Sequence, residues 1–211
     1  DTLLQAWYPG QECGNAIADV LFGDVEPTGR LPQSFPVKWS DNPTAVGDDL
    51  VYPGKAGRVE YREKLNIGYR HYDATGIKTL FPFGFGLGYT SFTLSELSAQ
   101  VGADGSVKAS VKLTNTGERQ GTTVVQLYVS ELNSKVERPV KELKQFSKVT
   151  LEAGTSATVE FELGLRDFAY CDVDAKGWRV DAGQFRLSAG FNAEQIEQAC
   201  EIELTDQFTG Y

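Results

Sequence analysis

From Ser91 onward, apolar and polar residues alternate in short bursts: Val107-Ala109-Val111-Leu113, Val125-Leu127-Val129, Val159-Phe161-Leu163, Phe185-Leu187-Ala189 and Ile202-Leu204. A period of two puts alternate side chains on one face of a strand, so each burst predicts a strand with one buried and one solvated face. The bursts are separated by turn-forming clusters: Ala103-Asp104-Gly105, Asn115-Thr116-Gly117, Glu152-Ala153-Gly154, Ala175-Lys176-Gly177 and Asp181-Ala182-Gly183. Near the start the period changes. Cys13, Ala16, Ile17, Val20 and Leu21 recur at i, i+3, i+4, i+7 and i+8, the stripe of an amphipathic helix, with Gly23 placed to end it. An apolar stretch from Leu3 leads into the Tyr8-Pro9-Gly10 turn before that helix and reads as a strand. One strand and one helix cannot bury a core, and no further strand–helix units follow. The chain therefore reads as the C-terminal portion of a larger protein.

Three segments result. Residues 1–36 hold the strand–helix unit of an incomplete α/β sandwich and then Gly29-Arg30-Leu31-Pro32-Gln33-Ser34-Phe35-Pro36, whose prolines favour an extended path. Residues 37–90, rich in Gly, Pro, Tyr and Phe, show no sustained period and read as an irregular connector. Its rings, including Tyr61, Tyr69, Tyr72, Phe81, Phe83 and Phe85, are expected to pack on another domain. Residues 91–211 carry about seven strands without a helical window, which describes a β-sandwich of immunoglobulin or fibronectin type III kind. The fold class is mainly β.

Composition narrows the partners. A net charge of −9 argues against nucleic acid, whose phosphates require clustered Lys and Arg. No stretch approaches the length of a membrane span, and no signal peptide opens the chain. The three cysteines, Cys13, Cys171 and Cys200, lack metal or redox spacing. Cys13 falls on the helix stripe and reads as a buried thiol, while Cys171 and Cys200 could bridge in an oxidising compartment. Asn42-Pro43-Thr44 is no glycosylation acceptor because of its proline, and no other Asn-X-Ser/Thr occurs, which favours an intracellular protein.

Two runs carry a family resemblance. Trp7-Tyr8-Pro9-Gly10-Gln11-Glu12, continuing from Gly14-Asn15-Ala16-Ile17-Ala18-Asp19-Val20-Leu21-Phe22-Gly23 to Pro27-Thr28-Gly29-Arg30-Leu31-Pro32, resembles the end of the α/β-sandwich domain of family 3 glycoside hydrolases. Phe81-Pro82-Phe83-Gly84-Phe85-Gly86-Leu87-Gly88-Tyr89-Thr90-Ser91-Phe92 is similar to the run that precedes that family's fibronectin type III-like domain. Gly68-Tyr69-Arg70-His71-Tyr72-Asp73 fits the family's connecting segment. Gly121 through Tyr128 and Arg138 through Phe146 fit its sandwich strands. Within the family the resemblance is to fungal and yeast β-glucosidases. It implies an exo-acting enzyme that releases terminal β-linked glucose with retention, using a carboxylate nucleophile and a carboxyl acid/base. Another exo-glycosidase of the family, a β-xylosidase, is the nearest alternative, and a non-catalytic β-sandwich binding module is the alternative to an enzyme. Neither carboxylate motif matches a position here. The resemblance thus implies no catalytic residue in this chain, substrate bound by upstream domains, no cofactor or metal, and room for a homo-oligomer.

The residues that could carry chemistry have simpler readings. Glu12, at the mouth of the helix, could line a crevice, but a negative charge there also favours the helix N-terminus. Glu60 and Glu63, with Asp73, could pose as a catalytic pair, yet Arg58, Arg62 and Lys64 interleave with them as on a salt-bridged face. His71 is the only histidine, which leaves no His-rich metal site and no triad partner. Phe83-Gly84-Phe85-Gly86-Leu87-Gly88 lacks the Lys-Ser/Thr of a phosphate loop and suits rings that pack while the backbone approaches another surface. Trp39 and Trp178 stand alone and read as packing residues, and Asp172, Asp174 and Gly177 as a turn rather than a calcium loop.

Overall fold

In a computed structural model, residues 2–210 are described; Asp1 and Tyr211, the outer bounds of the segments expected above, lie outside them. Two antiparallel sheets form a β-sandwich. One has the order β11(Ile196–Leu204), β10(Gly183–Gly190), β5(Gly121–Glu131), β6(Glu142–Leu151); the other is β3(Phe92–Val101), β4(Val107–Asn115), β7(Ser156–Leu163). The alternating bursts supply the strands and their inward faces. Val107, Ala109, Val111 and Leu113 of β4 lie in register with Leu163, Phe161, Val159 and Ala157 of β7. Facing them, Phe185, Leu187 and Ala189 of β10 pair with Glu131, Val129 and Leu127 of β5. Val107, Val111, Leu113, Val125, Leu127, Phe185 and Leu187 are fully buried, which is where the hydrophobic stabilisation of this unit is concentrated.

The turn residues act as their chemistry dictates. Asp104 accepts hydrogen bonds from the Ser106 backbone N–H (3.0 Å) and hydroxyl (2.7 Å), while Gly105 takes a positive φ. Asn115 is fully buried: its amide donates to the carbonyls of Arg119 (2.7 Å) and Leu151 (3.0 Å), and its oxygen accepts from the Thr90 hydroxyl (2.7 Å). It thereby ties the β4–β5 turn to the entry of the sandwich. A small sheet, β12(Gln207–Gly210), β9(Gly177–Val180), β8(Tyr170–Asp172), flanks the sandwich.

The structure differs from expectation in several respects, most of them in the first 90 residues. Residues 3–6 are not a strand: no described strand lies beside them to complete a ladder. Helix α1(Cys13–Phe22) forms, and Gly23 closes it at φ 83°, but none of its residues is buried. Cys13 is half-buried rather than buried, and Phe22 is 85% exposed. The connector contains a helix, α2(Tyr69–Thr75), entered at Gly68 and closed by left-handed Gly76. Its two turns are too short to register as a period. A further short helix, α3(Leu165–Phe168), lies within the segment read as helix-free, and its Phe168 meets Phe185 edge-on at 5.5 Å inside the core. A two-stranded ladder, β1(Phe35–Pro36) with β2(Thr79–Phe81), ties the end of the first segment to the later part of the connector. No helix among the described residues is long and apolar enough to cross a membrane.

Candidate interdomain surface

The most densely built polar region joins α2 to the sandwich. The phenol oxygen of Tyr69 accepts the Leu143 backbone N–H at 2.8 Å, and its ring stacks on Phe83 (5.3 Å) and meets Tyr128 edge-on (5.9 Å). One turn on, Asp73 pairs with Lys141, whose ammonium lies 5.6 Å from the centre of the Tyr128 ring. Beside them Arg138 donates to Glu131 (2.9 Å), Glu142 (2.7 Å) and the Phe168 carbonyl (2.7 Å), while Arg70 reaches across from α2 to Glu142 at 3.2 Å.

These charges are largely removed from water, and the Glu142 and Asp73 carboxyls shift in opposite directions. Burial works to raise the Glu142 carboxyl, but hydrogen bonding to Arg138 and the charges of Lys144, Arg138 and Arg70 outweigh it and hold the group below its ordinary value. Burial raises Asp73 against the pull of Lys141, and its Oδ2 has no hydrogen-bond partner. The Tyr128 hydroxyl is also pushed up by burial and donates to Gln126.

A second joint lies in the extended run after α1. Glu26, Thr28 and Arg30, alternate residues on one side of the chain, all reach β5 or β6. Glu26 accepts the Thr122 backbone N–H (2.6 Å), Lys148 donates to the Thr28 hydroxyl (2.8 Å), and Arg30 donates to the Thr123 hydroxyl (3.3 Å). Burial lowers the Arg30 guanidinium, partly offset by Glu26. The glycine run lets this joint close. A Cβ on Gly84, which has φ 85°, would overlap the Gln126 amide, and one on Gly86 would sit 2.7 Å from the Gly29 carbonyl oxygen.

Away from the joints, many apolar residues stay exposed. Leu3, Trp7, Tyr8, Leu21 and Phe22 at the first segment, and Tyr52, Tyr61, Leu65 and Ile67 in the connector, are exposed. The expected ring packing is thus divided. Tyr69, Tyr72 and Phe83 are drawn into the joint or its surroundings, Phe81 and Phe85 pack on each other (5.2 Å), and Tyr61 is 80% exposed.

The sequence candidates are dispersed. Glu12 accepts from the Asn15 side chain at 2.7 Å. Glu60 is held by Arg58 and Arg62, each at 2.7 Å, and Arg62 also holds Asp48 at 2.8 Å, so this stretch is an ion-pair network. Glu63 keeps one buried oxygen, Oε2, without a hydrogen-bond partner. His71 meets Tyr72 edge-on at 5.2 Å. Trp39 tilts against Tyr52 at 5.7 Å, and Trp178 lies under the Arg166 guanidinium at 3.6 Å. Asp172 accepts the Ala175 N–H (2.9 Å) and pairs with Arg179 (2.7 Å), closing the expected turn. Among the described residues, no group of three or more His, Cys, Asp or Glu side chains is arranged to hold a metal ion. Sequence reasoning missed Glu26 and the Arg138 cluster; the period-two spacing of Glu26, Thr28 and Arg30 was the signal available for the former.

Comparison with known proteins agrees with this geometry. Residues 1–89 match the glycosyl hydrolase family 3 C-terminal domain and residues 123–193 the fibronectin type III-like domain. A β-glucosidase of Rhizobium radiobacter is 51% identical over 205 residues, covering 96% of this chain and 25% of that protein. The crystal structure of β-glucosidase from Kluyveromyces marxianus in complex with glucose superposes with a TM-score of 0.89 at 43% identity, over 98% of this chain and 24% of that one. The Bifidobacterium adolescentis family 3 β-glucosidase gives a TM-score of 0.90 at 35% identity, over 96% of this chain and 30% of that one. The chain therefore spans about a quarter of the length of the relatives it matches. With both domain types present in the expected order, the chain belongs to glycoside hydrolase family 3 and corresponds to the C-terminal portion of that family's architecture.

Proposed function

We propose that this chain is the structural C-terminal portion of a retaining, exo-acting β-glucosidase, one that releases terminal β-linked glucose through carboxylates on domains that precede it. The observation that carries this reading is the superposition, over nearly the whole chain, on a β-glucosidase crystallised with glucose. On this reading residues 1–36 complete an α/β sandwich, 37–90 form the connector and 91–211 form the fibronectin type III-like unit. The exposed apolar residues of the first segment and connector cover the preceding domains, which bind the β-glucoside or oligosaccharide. The chain itself supplies no catalytic residue and needs no cofactor, metal, nucleic acid or membrane.

A non-catalytic carbohydrate-binding role fits less well. The outward face of the β3–β4–β7 sheet is built from hydroxyls and charges, such as Ser98 with Ser110 and Lys112 with Glu96, and offers no aromatic strip on which a sugar would stack. The test is the reaction of the full-length protein with an aryl β-D-glucoside, followed by proton NMR. β-Glucose appearing first, before mutarotation, is the expected result. Absence of turnover, or α-glucose as the first product, would overturn the proposal.

A further inference from the structure

Units joined by a Pro- and Gly-containing linker ordinarily move relative to one another unless their contact is large. The segment leaving α1 is such a linker, yet one side chain collects it, the glycine-rich run and the sandwich at a single point. Glu26 Oε1 accepts the Tyr89 backbone N–H at 3.1 Å, and Oε2 accepts the Thr122 backbone N–H at 2.6 Å. Both are charge-assisted bonds from main chain, which fix position more firmly than contacts between long side chains. Tyr89 is in turn held from the other end: its hydroxyl donates to the Val20 carbonyl in the last turn of α1. Arg119 lies 5.9 Å from the centre of its ring. The path runs from α1 through Tyr89 and Glu26 to the first residues of β5.

Two glycines make room for the carboxylate. A Cβ on Gly88 would overlap Glu26 Oε1, and a Cβ on Gly121 would come within 2.8 Å of the same oxygen while overlapping the Thr90 methyl. Neither glycine has a positive φ, so backbone conformation does not demand them; the space taken by Glu26 at Gly88, and by the Thr90 methyl together with Glu26 at Gly121, does.

We infer that Glu26 is a positioning residue that locks the segment leaving α1 onto the sandwich, fixing the orientation of α1 and its exposed apolar face relative to β5. What that face covers rests on the function proposed above; the lock itself does not.

The experiment is hydrogen exchange by mass spectrometry on the full-length protein and its Glu26→Ala, Gly88→Ala and doubly substituted forms. Each single substitution should raise exchange in peptides spanning 86–91 and 120–124 by about tenfold, as expected for loss of a local closed state, with the β4 and β10 core unchanged. The double variant should exchange no faster than Glu26→Ala, because Gly88→Ala acts only by displacing that carboxylate. Unchanged exchange in Glu26→Ala would overturn the inference. So would an effect of Gly88→Ala that adds in full to that of Glu26→Ala. Because the readout is local exchange, failure here is distinguishable from failure to hydrolyse a glucoside.

Discussion

The Tyr69 hydroxyl on the connector helix accepts the backbone N–H of Leu143 in the sandwich at 2.8 Å. This bond crosses the joint between two parts of the chain, and its donor is half-buried main chain. Removing the acceptor in Tyr69→Phe leaves that N–H unsatisfied, so a loss of about 1–3 kcal/mol is expected in denaturant unfolding of the purified chain. A loss below about 0.5 kcal/mol would mean that the joint contributes little to the folded unit.

Arg138 should be the most sensitive charge in the molecule. Its side chain is 8% exposed and neutralises Glu131 (5%) and Glu142 (14%) together. Arg138→Met strands the buried Glu131 carboxylate and leaves Glu142 to Arg70 and Lys144, with an expected cost of about 3–5 kcal/mol. Adding Glu131→Gln to that variant should recover a substantial part of the loss, since the stranded carboxylate is then neutral while Glu142 keeps Arg70 and Lys144. Thermal unfolding of the three forms would show the order.

Gly84 cannot be replaced without cost. Alanine there meets both a φ of 85° and the Gln126 amide, which is itself bonded to the buried Tyr128 hydroxyl. Gly84→Ala should cost at least about 2 kcal/mol, whereas Gly154→Ala, with a φ of 70° and open space around it, should cost about 1 kcal/mol from backbone strain alone. Equal losses would show that the close approach is unimportant.

The two carboxyls of the α2 joint should respond oppositely to acid. Glu142 is held below an ordinary 4.5, so its stabilisation is complete above that pH and is lost as the pH falls through the lowered folded value. Asp73 is raised above an ordinary 3.8, chiefly by burial, so its contribution is complete below that pH and is lost as the pH rises through the raised folded value. Stability measured against pH should therefore decline less steeply at the acid end in Glu142→Gln. In Asp73→Asn it should lose the decline just above ordinary carboxylate values. Profiles parallel to wild type would contradict these assignments.

How far the sequence reached depended on whether a signal was local. Val107-Ala109-Val111-Leu113 announces a strand because its two faces meet different solvents, and β4 forms there with those side chains fully or almost fully buried. Gly23 announces the end of α1 because only glycine takes that φ cheaply. The strand expected at residues 3–6 fails for a non-local reason: a strand is defined by its neighbour, and none is present among the described residues. Helix α2 was hidden because seven residues are too few to display a period. Glu26 and Asp73 could be seen as charges, but their partners Thr122 and Lys141 lie far along the chain and are brought together only by the sheet. Those long-range polar contacts make the candidate surface, which is why it was the least legible part.

The central claim is that this chain holds an enzyme together and does none of its chemistry. The direct measurement is hydrolysis of an aryl β-D-glucoside by the purified 211-residue chain, its mass confirmed, beside the full-length protein at equal molar concentration. The account predicts turnover by the full-length protein and none by the chain. Turnover by the chain with no larger polypeptide present would contradict it and return attention to Glu12, Glu60 and Glu63.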